Sequence, residues 1–314
     1  MLGYAFRRLL GAIPTLFIIV SLTFFMMRLA PGGPFDGERR LPPEVEANVK
    51  AAYNLDKPLV AQYGDYLVKL AQGDLGPSFK NKDFTVAQLI GAGLPVSVTL
   101  GLSAMTLALL VGAALGTWAA LRQNRWQDYS VMTLAMAGVT IPAFVTAPLL
   151  TLVFGVYGIR LFGQELTLPV SGWGGGAFRN LILPVLTLSL LQIAVIARLT
   201  RGAMVEVLRS NYIRTARAKG IPEHRIVLRH ALRAAALPLV SYAGPAIAAI
   251  LTGSLVVEQI FGLPGIGRYF VLAALDRDYT MVMGVVIVYA ILIIVMNFLA
   301  DILYAVLDPR VRLG

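Results

Sequence analysis

The sequence contains no cysteine and little charge. Without cysteine, the chain has no disulfide bonds, thiolate metal ligands or cysteine nucleophile. Charged residues make up 14% of the 314 residues and hydrophobic residues 57%, whereas a soluble domain carries about one-quarter charged residues. The net charge of +10 does not indicate a soluble nucleic-acid-binding protein, because such a protein needs a surface rich in lysine and arginine. The composition indicates a membrane protein.

Six apolar runs lack Asp, Glu, Lys, Arg and His, and each is long enough to cross a bilayer as a helix. The third run is longer than one span needs and contains Pro142 and Pro148, so we expect a tilted or kinked helix there. Pro14 and Pro245 also permit bends. The runs are Leu9 to Met27, Pro95 to Leu121, Tyr129 to Ile159, Asn180 to Ala197, Ala234 to Val257 and Tyr279 to Ala300.

The first run resembles a signal peptide because Arg7 and Arg8 precede it. Its 19 uncharged residues exceed the usual signal core, and no small-x-small cleavage site follows. We therefore expect an uncleaved first helix. A twin-arginine export signal is the weaker interpretation, because it also needs a removable hydrophobic segment.

The distribution of lysine and arginine predicts the orientation. If the amino terminus is cytoplasmic, the inner segments carry fifteen basic residues and the two short outer loops carry four. Both termini are therefore expected in the cytoplasm, and the chain is predicted to be an all-α polytopic membrane protein with six transmembrane helices. This topology also explains the net positive charge without a specific anionic ligand.

The apolar runs lack the groups that would make the chain self-powered. A proton- or sodium-driven carrier usually keeps ionisable groups at the membrane midplane, and an intramembrane enzyme keeps catalytic groups there. His224 and His230 have no HExxH context, so we expect ordinary polar residues and no metal site. No GxxxxGK[ST] phosphate loop occurs. We expect no cofactor in this chain and an energy source in another chain, although a self-powered carrier or channel and a membrane-bound scaffold remain rival classes.

Small residues recur every four positions in the second run, at Ala108, Gly112, Gly116 and Ala120. This spacing places them on one helix face and lets another backbone approach closely. The pattern favours a helix-packing seam. The alternative is compositional, because glycine is frequent in membrane helices generally.

A basic loop at 198–236 is expected in the cytoplasm. Apolar residues at helical spacing predict an amphipathic helix there: Val205, Leu208, Tyr212 and Ala216. Lys219 and Gly220 are typical of a last helical turn and its glycine cap, and Pro222 is typical of the first position of a second helix. This helix, corner and helix favour a docking surface, the alternative being a solvated loop that only maintains topology.

The stretch TARAKG followed by RHALR resembles the cytoplasmic loop of membrane subunits of ATP-binding-cassette (ABC) importers, in the branch that handles peptides and nickel. Of the general loop pattern of that superfamily, only Ala216, Gly220 and Leu232 match, but the peptide branch typically has RTARAKG in this place. The resemblance implies that the helix pair lies in a groove of a cytoplasmic ATPase and transmits its closure to the spans. The residues expected to couple the two are Val205, Leu208, Tyr212, Arg214, Thr215, Ala216, Arg217, Lys219, Gly220, Pro222, His230 and Leu232.

The resemblance extends nearly end to end, through FFMMRLAPGGPFDGERRLPPEV, QYGDYL, GDLGPSF and EQIFGLPGIGRYFVLAALDRDY. It implies a type I importer permease of the bacterial inner membrane for oligopeptides, with dipeptide, glutathione and nickel relatives as alternatives. The implied partners are a second, similar permease subunit, two ATPases that hold ATP and Mg²⁺, an extracytoplasmic substrate-binding protein and the peptide itself, with no nucleic acid.

The outer segments complete the predicted organisation, with a first span at 1–30, a periplasmic helical segment at 31–94 and a core at 95–314. Within 31–94 two amphipathic helices are expected, starting at Pro43 and Pro58, which form either a platform for the binding protein or a cap on the bundle.

The stretch FGLPGIG predicts a non-helical turn that borders the outer mouth of the pathway, or else an ordinary surface loop. The candidate residues for this outer gate are Glu258, Phe261, Gly262, Pro264, Gly265, Gly267 and Asp278.

Overall fold

The computed structural model describes residues 2–29, 56–81, 83–161 and 164–307, and these residues are almost entirely helical. The helices are α1 Leu2–Leu29, α2 Leu59–Ala71, α3 Val86–Leu121, α4 Trp126–Thr140, α5 Ala143–Leu150, α6 Phe178–Leu208, α7 Asn211–Ala218, α8 Glu223–Arg225, α9 Leu232–Gly253, α10 Leu255–Ile260, α11 Ile266–Leu275 and α12 Tyr279–Leu307. Wider helical turns continue α5 over Thr151–Val156 and join α8 to α9 over Ile226–Ala231. The all-α prediction missed one antiparallel hairpin, β1 Ile159–Leu161 and β2 Gln164–Leu166.

Within the described residues, five helical segments are long and apolar enough to span a membrane, and there are six if a bent pair of helices is counted as one span. The pair is α4 and α5, whose axes differ by 105° across Ile141 and Pro142. A bend in this run was predicted from its prolines and is confirmed. Pro142 explains the position of the bend, since it has no N–H to continue the hydrogen bonds of α4.

The apolar runs correctly predict that the spans exist, but they do not predict the residues at which the spans begin and end. The second span begins at Val86, so residues 86–94, which the sequence assigned to the outer segment, belong to α3. The Thr85 side chain accepts a hydrogen bond from the Gln88 amide while the Gln88 side chain accepts from the Thr85 amide, a capping box that starts the helix before its interior Pro95. The fourth span continues to Leu208, beyond the last apolar residue of its run.

The core lies where α3 packs on α6. An ideal Cβ on Gly116 would lie 2.3 Å from the Ala197 carbonyl oxygen, and one on Gly112 would lie 2.8 Å from the Ile196 side chain. Ala108 is fully buried in the same seam. The predicted packing seam is therefore confirmed, because the two backbones approach more closely than side chains would allow.

Helix α2 packs on the end of α1, as expected for a segment too small to fold alone. The Tyr63 hydroxyl lies 2.5 Å from the Ser21 hydroxyl, and the Tyr66 ring stacks on Phe24 at 5.7 Å between centroids. Burial raises the pKa of Tyr66 to about 12. The helix expected from Pro43 lies outside the described residues.

Candidate functional site

The loop at 198–236 forms a helical hairpin, which we define as the end of α6 together with α7 and α8. Its first arm is not the single helix that the spacing predicts. Helix α6 ends at Leu208 and α7 restarts at Asn211, with Ser210 in extended backbone between them. The restart rotates the face of α7, so that Ile213 is fully buried and Tyr212 is 49% exposed. Tyr212 and Ala216 therefore do not share one face with Val205 and Leu208, as the predicted single helix would require.

The corner of the hairpin forms at Gly220, as predicted. Its φ of 73° is a conformation that residues with a side chain rarely adopt. The Ile221 amide donates to the Ala216 carbonyl and the Gly220 amide donates to the Arg217 carbonyl, which together close a Schellman motif. Pro222 lies one position earlier than predicted, as the N-terminal cap of α8.

Apolar side chains fix the hairpin on the spans. Ile213 and Ala216 of α7 pack against Ile226 and Val227 of the turn after α8, and all four are buried. This cluster also contains Met204 of α6 and the end of α3. The hairpin is therefore packed on two spans, and its displacement would act directly on them.

An ion pair closes the exposed side of the corner. Arg217 donates to Glu223 through Nη2 at 2.6 Å and Nε at 3.2 Å. The hydrogen bond to this carboxylate raises the pKa of Arg217 above its usual range. Both side chains are exposed, so we expect the pair to contribute little to stability and mainly to fix the geometry of the corner.

The outward face of the hairpin is basic and partly apolar. Leu228, in the turn that follows α8, is 65% exposed and neighbours the exposed Arg229, although Ile226, Val227 and Ala231 of the same turn are buried. Of the other predicted coupling residues, Val205, Leu208, His230 and Leu232 are half-buried. The exposed residues of this face are Tyr212, Arg214, Thr215, Lys219, Arg225, Leu228 and Arg229. Large apolar side chains within a charged rim are typical of a surface that docks on another protein.

A buried ion pair that the sequence analysis missed joins α4 to α6 beside the hairpin. Asp128, only 1% exposed, accepts from Nε of Arg201 at 2.5 Å and from Nη2 at 2.6 Å. The Asn124 amide also donates to this carboxylate. One signal was present in the sequence, because Asp128 is the only acidic residue between Asp83 and Glu165.

At the other end of the bundle, the FGLPGIG stretch joins α10, α11 and α3 in a packed junction around Glu258. This carboxylate is fully buried and accepts from the Ser97 hydroxyl at 2.6 Å, the Ser254 hydroxyl at 2.7 Å and the Arg268 amide at 3.2 Å. The Ile266 amide donates to the Ser97 hydroxyl. Glu258 and Ser97 therefore satisfy the first amides of α11, where a negative charge is also favoured by the helix dipole.

Two glycines make this junction fit. An ideal Cβ on Gly265 would lie 2.2 Å from Oε2 of Glu258, and one on Gly267 would lie 2.8 Å from the same atom. Phe261 is buried, and its carbonyl accepts from the Gly172 amide. The structure thus brings most of the predicted outer-gate residues together in a sealed junction, with Gly262 and Pro264 half-buried at its edge. Their gating role stays a prediction.

Asp278 forms a separate site, where the segment before α3 meets α12. It is 1% exposed and accepts from the Ser78 hydroxyl at 2.5 Å, the Thr280 hydroxyl at 2.9 Å and the Met281 amide at 3.1 Å. It therefore caps α12 and fixes the preceding segment on that helix. Across the part of the chain that the structure describes, no three His, Cys, Asp or Glu side chains are placed to hold a metal ion.

Comparison with known proteins gives two matching family models and several close relatives. The model "Binding-protein-dependent transport system inner membrane component" matches residues 112–313, and the model of the N-terminal region of such components matches residues 1–101. The oligopeptide transport system permease proteins OppB of Salmonella typhimurium and Escherichia coli are each 55% identical over 312 residues, which cover 99% of this chain and 100% of the relative. The dipeptide transport system permease protein DppB of Bacillus subtilis is 42% identical over 313 residues, which cover 100% of this chain and 99% of the relative.

A solved structure has the same fold. The chain is similar to one in the inward-facing MetNI methionine ABC transporter, with a TM-score of 0.55, 16% identity, and coverage of 71% of this chain and 97% of that chain. At this identity the likeness shows the fold alone, which is that of a type I ABC importer permease.

Proposed function

The chain belongs to the family of binding-protein-dependent transport system inner membrane components, and from that premise we propose that it is the membrane subunit through which an ATP-driven importer moves oligopeptides. The observation that carries the proposal is the 55% identity to oligopeptide permeases along nearly the whole of both chains. The dipeptide permease of Bacillus subtilis is 42% identical over the same length, so oligopeptides are favoured over dipeptides.

The hairpin is the proposed input for energy. Its exposed basic and apolar face is suited to a groove on a cytoplasmic ATPase, and its buried face packs on α3 and α6. When two ATPases bind ATP and Mg²⁺ and close, each would displace a hairpin and thereby tilt the spans above it. This chain is a non-catalytic permease subunit, like its relatives, and hydrolysis would take place in the partners.

The remaining partners follow from the same proposal. The described part of one chain supplies six spans, the bent pair counted as one, and their surfaces are mostly apolar. A polar pathway is therefore proposed between this chain and a second, similar permease subunit, with an extracytoplasmic binding protein that delivers peptide to it. The pathway would open alternately to the two sides of the inner membrane as the hairpins move.

Reconstitution in liposomes tests the function. The chain is co-reconstituted with its co-purifying permease, ATPases and binding protein, and uptake of a radiolabelled pentapeptide is measured with and without ATP. We expect ATP-dependent uptake by the complete assembly and none by the chain alone. Accumulation of peptide by the purified chain without ATP would refute the proposal.

Charge reversal at the corner tests the hairpin assignment. Arg217→Glu places two carboxylates opposite each other, and we expect weaker assembly with the ATPases and at least tenfold slower uptake. The double variant Arg217→Glu with Glu223→Arg restores the ion pair, so recovery would show that the corner geometry matters more than a direct contact of Arg217. Arg125→Glu, exposed near α4 but outside the hairpin, serves as the control and should leave both measurements within twofold. If Arg217→Glu also leaves both unchanged, this face does not dock on the ATPase.

A further inference from the structure

The break between α4 and α5 lies at the same depth as a pair of polar side chains on two other spans. Ile141 is the midpoint of the bent pair Trp126–Val156. Gln192 and Tyr242 each lie within four residues of the middle of their apolar runs, Asn180 to Ala197 and Ala234 to Val257, on the side nearer the hairpin. With the bent pair taken as one span, all three features lie at a similar depth, within about 6 Å of the middle of the apolar region.

The break leaves backbone groups without helical partners. Pro142 has no N–H to donate to the Gly138 carbonyl. Pro142 is also the N-terminal cap of α5 and supplies no side-chain acceptor, while its carbonyl accepts from the third and fourth residues of that turn, Val145 and Thr146. Among the described residues, the amides of Ala143 and Phe144 therefore have no hydrogen-bond acceptor.

Such a break does not face lipid. Each unsatisfied backbone group costs several kcal/mol in hydrocarbon, so irregular backbone at this depth occurs only within protein or beside a water-filled cavity. Ile141 is nevertheless 43% exposed on this chain, and Phe144 is 60% exposed. In the assembly, the face that carries the break therefore meets either a neighbouring subunit or an aqueous pathway, and not the bilayer.

Polar side chains complete the site. Gln192 is only 6% exposed, and its Oε1 accepts from the Tyr242 hydroxyl at 2.5 Å, which leaves the two hydrogens of its Nε2 for other partners. Gln192 lines a cavity of about 160 Å³ together with Thr146, Thr187 and the residues of the break, among them Ile141 and Pro142. The described lining of this cavity contains no charged residue.

We propose that the break and the Gln192–Tyr242 pair form a binding site for the backbone of the peptide in transit. An extended peptide presents alternating N–H and C=O groups. The Gly138 carbonyl would accept from a peptide N–H, and the Ala143 amide and the Gln192 side-chain amide would donate to peptide carbonyls. Because the site is uncharged and reads backbone groups, it accepts peptides of any side-chain charge. The inference rests on the proposed function and identifies where the pathway of that importer contacts its substrate.

Thiol accessibility tests whether the break faces water. The chain has no cysteine, so Thr140→Cys and the control Ile293→Cys each give it a single thiol. Ile293 lies at the middle of the unbroken α12 and is 39% exposed, which makes it a control at similar depth on a span without a break. In the assembled importer, we expect a charged methanethiosulfonate reagent to modify Thr140→Cys at least tenfold faster than Ile293→Cys, as read by mass spectrometry of this chain, and a lipid-soluble maleimide to modify both. Modification of Thr140→Cys by the maleimide alone would overturn the inference.

Substrate kinetics test whether the site holds peptide. Loss of the amide in Gln192→Leu is expected to raise the KM for uptake of a neutral pentapeptide roughly five- to tenfold, the effect of about one hydrogen bond. ATP hydrolysis stimulated by the peptide-loaded binding protein should stay within twofold, because the hairpin is untouched. Gln72→Leu, an exposed glutamine at the end of α2, is the matched control and should keep the wild-type KM.

The outcomes separate this inference from the proposed function. If the wild-type assembly shows no ATP-dependent peptide uptake, the proposed function fails, and thiol accessibility still decides whether the break meets water. If the wild type transports peptide and Gln192→Leu has an unchanged KM, the proposed function stands and the peptide site is refuted.

Discussion

Placing a methyl group in the seam between α3 and α6 should destabilise the bundle. In Gly116→Ala the new Cβ would lie 2.3 Å from the Ala197 carbonyl oxygen and 2.7 Å from Cβ of Thr200. Real Cβ contacts essentially never fall below 3.0 Å, so the helices must separate by at least 0.7 Å at this point. A backbone oxygen cannot rotate away as a side chain can, so the whole seam must shift.

The expected magnitude follows from overpacking in other cores, which costs about 1–3 kcal/mol. That range corresponds to a change of roughly 5- to 150-fold in the unfolding equilibrium constant, at about 1.4 kcal/mol per factor of ten. Alanine also favours a helix over glycine by up to about 1 kcal/mol. Gly202→Ala measures this propensity alone, because its Cβ would have nothing within 4 Å and the residue lies on α6, one helix of the same seam.

Unfolding by sodium dodecyl sulfate in mixed micelles, followed by tryptophan fluorescence, measures both variants. Trp118 lies two residues from the substitution and reports on this region of α3. We expect Gly116→Ala to unfold at lower detergent fraction than the wild type and Gly202→Ala to unfold at an equal or higher one. Equal stability of the two variants would show that the seam is loose enough to admit a methyl group, contrary to the reasoning above.

Three further substitutions test other contacts. Asp128→Asn removes the charge that pairs with Arg201. Because the Arg201 side chain is 28% exposed, the substitution should lower the free energy of unfolding by about 1–3 kcal/mol, as measured by the same titration. The double variant with Arg201→Met should recover much of this loss, and no recovery would mean that the pair is not the cause. Gly265→Ala would put Cβ 2.2 Å from the carboxylate of Glu258 and should lower thermal stability, and an unchanged melting temperature would contradict the tight junction. Gly220→Ala forces alanine to a φ of 73° at about 1–2 kcal/mol, with a measurable loss of thermal stability that Gly220→Asn should show less strongly.

The features that the sequence predicts are local ones. The apolar runs identify the spans because hydrocarbon selects apolar side chains over about 20 consecutive residues. Gly220 predicts the hairpin corner because the turn requires a positive φ at that one residue. Pro142 predicts the bend because its own backbone has no N–H to donate. The small-residue seam is likewise visible from the helical period alone.

The features that the sequence does not predict are contacts between residues far apart in the chain and the choice of which helix face is buried. Glu258 meets Ser97 across 161 positions, and Asp278 meets Ser78 across 200, so only the packed helices bring them together. The spacing of Val205, Leu208, Tyr212 and Ala216 predicts one helix, but the helix restarts after Ser210. A break between two helices changes which side chains of the second helix are buried. Helical spacing counted across the break therefore does not predict them.

The continuity of α6 has a mechanical consequence. From Phe178 to Leu208 the helix extends for 31 residues, or about 46 Å at 1.5 Å per residue. If the helix moves as one body, a pivot of about 5° at one end displaces the other end by about 4 Å. A small rotation of α6 near Leu208 would therefore displace its opposite end, at the other side of the membrane, by several ångströms without a local change in backbone conformation.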